Sequence, residues 1–197
     1  MENLNVLTDD MLVARYQGGD DKAFDELLAR YQGKLYNYIL FNVRNQELAE
    51  DVFQETFVKA IVTIQQRRYT PDGRFGAWLT RIAHNLVIDS FRMERNENTI
   101  SNDECEMDLL NNVNLCEDNV ETQMINEQTL IDVRRLIDAL PQNQREVVYM
   151  RYYQDLSFKE IAEITGVSIN TALGRMRYAL LSMRRIAEEK DIVLQMY

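Results

Sequence analysis

Leu156-Ser-Phe-Lys-Glu-Ile-Ala-Glu-Ile-Thr-Gly-Val-Ser-Ile-Asn-Thr-Ala-Leu-Gly-Arg-Met-Arg-Tyr-Ala179 reads as two short helices joined by a tight turn. Ser157 is placed to cap the first helix, and Glu160, three residues on, completes a capping box. Ile161, Ala162 and Ile164 give that helix its apolar side. Gly166 sits where a left-handed residue ends a helix, and Ser168 can cap the next. In the second helix Ile169, Ala172, Leu173, Met176, Ala179, Leu180 and Met183 recur at helical steps, which predicts one buried stripe. Asn170, Thr171, Arg175, Arg177 and Tyr178 fall on the other face. From Ile169 to Ile186 there are four arginines and no acid, the charge a nucleic-acid reader needs. The stretch is a helix-turn-helix with a candidate recognition helix.

Two more helices precede it. One covers roughly 128–139, with Leu130, Val133, Leu136 and Ile137 apolar. Pro141 ends it and pre-sets the next, predicted over 142–153, where Val147, Val148, Met150 and Tyr152 can pack. Further upstream the composition changes. From Glu97 to Glu127 there are nine acids and no Lys or Arg, a composition that disfavours a packed core. This predicts an acidic flexible linker over 96–126, between a domain at 1–95 and a second at 127–197. A short ordered piece at 107–113 is only weakly signalled. Cys105 and Cys116 fall in this stretch with no histidine nearby and read as spectator thiols.

The first domain is also helical. A short helix is predicted over 9–16 and stops at Gly18-Gly19; a longer one runs from Asp21 to about Val43, with Gly33 inside it as a possible kink or close helix contact. The next, opened by Asn45 or Gln46 and running to about Gln65, buries Ala49, Val52, Phe53, Thr56, Phe57, Ala60, Ile61 and Ile64. Its opposite face shows Glu47, Glu50, Asp51, Gln54, Glu55 and Lys59. A solvated acidic face is the plain reading, but like charges at the four-residue step repel, and a cationic partner surface relieves that repulsion. Residues 66–76 read as a loop. A helix from Ala77 to about Arg95 has Leu79, Ile82, Ala83 and Leu86 on its core side and Trp78, Arg81, Asn85, Asp89 and Arg92 on the other. Arg67, Arg68, Arg74, Arg81, Arg92 and Arg95 here outnumber the acids and are interleaved with Tyr69, Phe75, Trp78 and Phe91. Cations for phosphates and rings for bases suit single-stranded nucleic acid; the plain alternative makes Phe75 and Trp78 core residues.

The whole is an all-α protein of two small helical domains. With 197 residues, of which 46% are hydrophobic, it can build a core, and only two prolines and few alternating stretches leave little room for a sheet. The net charge of -10 argues against a simple nucleic-acid coat. No apolar run approaches a membrane span and the acidic start is unlike a signal peptide, so no membrane insertion and a cytoplasmic location are expected. No cofactor, no metal site and no enzyme activity are expected. His84, the single histidine, has no ligand or triad companions, and no glycine-rich phosphate loop is present.

Two distant blocks resemble one family. Ala49-Glu-Asp-Val-Phe-Gln-Glu-Thr-Phe57 resembles the polymerase-binding segment in the second region of bacterial sigma factors. Phe75-Gly-Ala-Trp-Leu-Thr-Arg-Ile-Ala-His-Asn-Leu-Val-Ile-Asp89 resembles the promoter-melting helix that follows it. Leu140-Pro-Gln-Asn-Gln-Arg-Glu-Val147 and Leu156 to Arg177 resemble their fourth region, and the short acidic linker is similar to that of the extracytoplasmic-function group. The resemblance covers roughly 8–95 and 127–187.

It implies a sigma factor, a dissociable subunit that gives core RNA polymerase its promoter choice. Glu50, Asp51, Gln54 and Glu55 are then implied to bind the polymerase. Arg67, Arg68, Arg74, Trp78, Arg81, Asn85 and Arg92 are implied to open the -10 element and hold its bases. Ser168, Asn170, Thr171, Arg175, Arg177 and Tyr178 are implied to read the -35 element. The linker is implied to thread the polymerase channel, and an anti-sigma factor to sequester the free, monomeric protein. Leu173 stands where many relatives carry Lys, His84 where Arg is common, and the basic tail after the melting helix is thinned to Arg92-Met-Glu-Arg-Asn-Glu97. These departures imply weak DNA binding without polymerase. A stand-alone helix-turn-helix regulator is the competing reading; it leaves the 49–57 block and the arginine-aromatic helix without use.

Overall fold

The computed structural model describes residues 4–97, 131–190 and 192, and all its regular structure there is helical. After a short turn of tight helix at Leu4–Val6 come α1 (Asp9–Gln17), α2 (Asp21–Val43), α3 (Gln46–Gln65) and α4 (Phe75–Glu97). Residues 131–138 form α5, followed by α6 (Gln142–Tyr152), α7 (Phe158–Thr165) and α8 (Ile169–Glu189). Most of the expected linker, with 107–113, Cys105 and Cys116, lies outside the described residues, as do positions 128–130 of the helix expected over 128–139. Residues 96–97 are the last of α4 and not linker.

The helices divide into two compact units, one on α1 to α4 and the other on α5 to α8. In the first, α2 packs against α1, α3 and α4. Local chemistry sets the boundaries. Thr8 accepts from the Met11 N–H at 3.4 Å to start α1, and Asn45 accepts from Leu48 N–H at 3.1 Å to start α3. The core draws Leu12 and Val13 from α1, Leu27, Tyr38 and Ile39 from α2, Ala60 and Ile64 from α3, and Phe75, Leu79 and Ala83 from α4. Each of these apolar groups leaves water, the main favourable term in folding. α4 begins two residues before the predicted start, because Phe75 is a core side chain that anchors its first turn.

Buried polar groups in this unit are bonded. His84 and the Tyr38 hydroxyl share a hydrogen bond at 3.2 Å, and Asn42 donates to the Tyr38 carbonyl at 2.8 Å. Thr56 donates back to the Val52 carbonyl at 2.7 Å. Gly33, a possible kink or close helix contact on sequence grounds, is exposed, and a Cβ there would meet nothing within 4 Å. No neighbouring element therefore presses on it.

In the second unit α6 packs on α8. The run from Arg145 to Met150 is buried throughout, including Tyr149, while Tyr152 is 63% exposed. The expected Tyr152 contact is thus replaced by Tyr149, because α6 is enclosed on more than one side and has no single apolar stripe to read. Arg145 reaches the Asp138 carbonyl at 3.4 Å. The stripe on α8 is also narrower than expected. Ala172, Met176 and Ala179 are buried, but Ile169, Leu173 and Leu180 are 46%, 44% and 49% exposed. A seam at steps of four and three fits one small partner helix, and residues a quarter-turn away fall outside it.

Candidate polymerase and nucleic-acid interfaces

On α3 the acid-amide face is where the spacing put it. Glu47, Glu50, Asp51, Gln54 and Glu55 are all exposed, and Ala49, Val52, Thr56 and Phe57 are buried behind them. Two of the acids have partners on their own helix. Gln46 donates to Glu50 at 3.0 Å, and Lys59 pairs with Glu55 at 2.9 Å. These i,i+4 contacts relieve part of the like-charge repulsion within the helix itself; Asp51 and Gln54 have no partner among the described residues. Burial pushes the hydroxyl of Tyr36 above its ordinary pKa, and the nearby charge of Glu50 adds to the shift. Val58 and Val62, 58% and 43% exposed, extend this face. Sequence reading missed them because apolar groups on a polar face carry no periodic signal.

The second site is the loop between α3 and α4 with the outer face of α4. Arg67, Arg68 and Arg74 are exposed on the loop, and Arg81, Asn85 and Arg92 on α4. Arg67 takes a left-handed backbone at φ 54°, which turns the chain out of α3. Arg74 is tied back to Asp72 at 2.8 Å and Arg92 to Asp89 at 3.3 Å. Tyr69 and Phe75 are buried, so of the four interleaved aromatics these two are core. Trp78 is half-buried, its ring 4.6 Å from that of Tyr69 and 5.4 Å from that of Phe75. One side of the indole is thus backed by two fixed rings.

What holds the loop was not visible in the sequence. Asp10 accepts from the Gly73 N–H at 3.0 Å and from the Tyr69 hydroxyl at 3.5 Å. Asp9, beside it, accepts from the Tyr31 hydroxyl and pairs with Arg30 at 2.9 Å. Arg30 also bonds Glu26 at 2.9 Å and the carbonyls of Leu4, Asn5 and Leu7. Burial works against the Arg30 charge, but its bonds to Glu26 and Asp9 outweigh this and raise its pKa. Burial, then Asp9, holds the Tyr31 hydroxyl well above the usual phenol range; burial, then Asp10 and Asp72, does the same for Tyr69. Both therefore stay neutral donors. A Cβ on Gly76 would come within 2.8 Å of the Tyr31 ring, so only glycine lets α4 start this close to α2.

Asp10→Ala is expected to loosen the loop without unfolding the unit. Each missing bond costs on the order of 1 kcal/mol. Trypsin should then cut after Arg67, Arg68 or Arg74 about thirtyfold faster, the factor for two such bonds, since cleavage follows the population of the open loop. Unchanged cleavage at these arginines would show that Asp10 does not hold the loop.

The third site is α7 to α8. The Ser157 N–H donates to Glu160 at 2.8 Å while the Glu160 N–H donates to Ser157 at 3.3 Å, closing the capping box. Gly166 turns the chain at φ 67°. Ser168 accepts from the Thr171 N–H at 3.0 Å, and the two hydroxyls lie 2.9 Å apart. The hydroxyl of Ser168 thus starts α8 and orients Thr171. Arg151 braces the preceding turn, donating to the Leu156 carbonyl at 3.0 Å and lying 5.6 Å over the Phe158 ring. Asn170, Thr171, Arg177 and Tyr178 are exposed and Arg175 is half-buried. His84 lies buried against Tyr38 and belongs to none of the three exposed faces. Among the described residues no group of three or more metal-ligating side chains is clustered, and no helix is long and apolar enough to cross a membrane.

Comparison with known proteins identifies relatives for both units. The Sigma-70 region 2 family matches residues 27–97, and the Sigma-70, region 4 family matches residues 130–183. An ECF RNA polymerase sigma-E factor of Haemophilus influenzae is 32% identical over 174 residues, 86% of this chain and 90% of that one. The ECF RNA polymerase sigma factor BldN of Streptomyces coelicolor is 38% identical over 156 residues, 79% of this chain but 56% of that relative's length. Among solved structures, CnrH in complex with the cytosolic domain of CnrY has a similar fold, with a TM-score of 0.63 over 93% of this chain and 99% of that one at 24% identity. The sigma factor RpoE of Bartonella quintana, solved with the anti-sigma factor NepR, also scores 0.63, over 85% and 98% at 20% identity.

Proposed function

The chain belongs to the extracytoplasmic-function group of the sigma-70 family, and from that premise we propose how its parts divide the work of promoter-directed transcription initiation. The protein binds core RNA polymerase and directs it to promoters. Phosphodiester chemistry stays with the core enzyme, and this chain supplies contacts only. Glu50, Asp51, Gln54 and Glu55 on α3 dock on a cationic surface of the polymerase. The observation that carries this reading is the exposed acid-amide face itself. A stand-alone helix-turn-helix regulator has no use for it, and among the described residues Asp51 and Gln54 find no partner on it.

The two DNA steps follow from the other two sites. Asn170 and Thr171 at the start of α8 reach base edges of the -35 element in the major groove, while Arg175, Arg177 and Tyr178 contact guanine, phosphate or sugar. Ser168 acts one step removed, by fixing the helix start. The loop and α4 then hold unpaired bases of the -10 element. Extruding a base costs a few kcal/mol, which stacking on Trp78 and contacts to Arg81 and Asn85 offset. Arg67, Arg68, Arg74 and Arg92 give phosphate contacts; Arg74 and Arg92 must first exchange Asp72 and Asp89 for DNA, and such exposed pairs are weak.

A first domain that ends with α4 at Glu97, an acidic linker after it and a second domain at 127–197 complete the proposal, with the linker following the path of nucleic acid through the polymerase. The protein acts in the cytoplasm and is a monomer when free. A sequestering anti-sigma factor covers the α3 and α8 faces until a signal releases it. Runoff transcription with core polymerase on templates carrying randomised promoters tests the reading. The expected result is transcripts from one recurring pair of spaced elements. Failure to bind core, or transcripts from unrelated sequences, overturns it.

A further inference from the structure

Leu173 occupies an unusual place on α8. It follows Asn170 by three residues and precedes Arg177 by four, so the three lie in one row of the helix surface. It is 44% exposed, while the seam that fixes α8 is made by Ala172, Met176 and Ala179. Leu173 thus stands outside the buried seam, with a large part of its surface open to a partner. Beside it, a Cβ on Gly174 would meet nothing within 4 Å, so the backbone next to Leu173 is open to close approach from outside. The surroundings are cationic: Arg175 and Arg177 flank the site and no acid occurs from Ile169 to Ala187.

A leucine cannot bond a phosphate or a base edge. In the major groove one apolar group is on offer, the C5 methyl of thymine, and it distinguishes T·A from the other pairs. The amide of Asn170, one helical step away, matches the N6/N7 edge of adenine. We infer that Leu173 is a specificity-determining residue that contacts the methyl group of a thymine in the upstream promoter element, close to the base read by Asn170. An apolar side chain at this place reads a base, where a cation would give a phosphate contact that is blind to sequence.

The inference rests on the reading of α8 as the promoter reader, and one experiment separates the two. Holoenzyme is assembled from the full chain and core polymerase, and its binding to a selected promoter is measured with each upstream thymine replaced in turn by deoxyuridine, which removes only the methyl. At one position the natural chain should lose about fourfold in affinity, the factor carried by burying one methyl group. Leu173→Ala should bind the thymine promoter about fourfold more weakly or worse, and should be indifferent to deoxyuridine at that position. No sensitive thymine, no thymine in the selected element, or full sensitivity kept in Leu173→Ala overturns the inference while leaving the promoter-reading role of α8 intact. Equal weakening by Leu173→Ala on every template, with no methyl effect, also overturns it and marks a protein contact instead. Absence of any promoter-specific binding by the holoenzyme overturns the underlying reading as well.

Discussion

Asp51→Lys combined with Glu55→Lys is expected to lower the affinity for core RNA polymerase at least a hundredfold and to leave the melting temperature of the protein within a few degrees of the natural chain. Both side chains are exposed on α3 and neither is part of the core. Within the protein the change removes the Glu55–Lys59 pair, whose side chains are about half exposed, and pairs of that kind contribute little to stability. At the interface the sign of the effect is reversed. Two attractions to a cationic surface become two repulsions, and like charges brought together there cost several kcal/mol. Because Glu47, Glu50, Gln54, Val58 and Val62 remain on the same face, the double variant isolates charge from shape. The natural complex should also weaken as salt rises, since screening shortens the reach of surface charges. A titration of labelled protein with core polymerase, beside a thermal melt of each variant, checks both halves. Undiminished affinity would place the polymerase contact elsewhere on the chain.

The parts of this fold that depend on near neighbours along the chain are legible in the sequence. Thr8, Asn45, Ser157 with Glu160, Gly166 and Ser168 are all recognisable as helix punctuation, since a cap satisfies backbone groups within three or four residues of itself. The faces of α3 and α4 are legible for the same reason. Three things are not. The width of the buried stripe on α8 depends on the partner it meets, so Leu173 and Leu180 carry the same periodic signal as Ala172 and Met176. The exchange of Tyr152 for Tyr149 arises because α6 is enclosed and its burial has no helical period. The clamp on the loop before α4 joins Asp9 and Asp10 to Arg30, Tyr31, Tyr69 and Gly73 across twenty-one to sixty-three positions, where no local rule reaches. The candidate DNA-melting side chains can thus be named from the sequence, but the reason they stand in a fixed loop cannot.

That clamp bears on Trp78, whose replacement by alanine should weaken binding to single-stranded downstream promoter DNA about five- to 150-fold, the range that loss of one base–aromatic stack covers. The indole is backed by Tyr69 and Phe75, and those rings are themselves held by Asp10 and by packing on Tyr31. An unpaired base stacking on the free side of Trp78 therefore meets a platform that does not have to be ordered first, which keeps the entropic cost of capture low. Arg81 and Asn85 follow Trp78 on the exposed face of α4 at steps of three and four, within reach of the phosphates and edges that flank such a base. Two DNA ligands separate this role from simple packing. Holoenzyme carrying Trp78→Ala should lose affinity for a fork with a single-stranded downstream overhang but keep its affinity for a duplex bearing only the upstream element. Trp78→Phe, which keeps a ring on Tyr69 and Phe75, should recover most of the loss. Equal loss on both ligands would mean that Trp78 is needed only to pack its unit, and no loss on the fork would mean that the bases are held by other side chains.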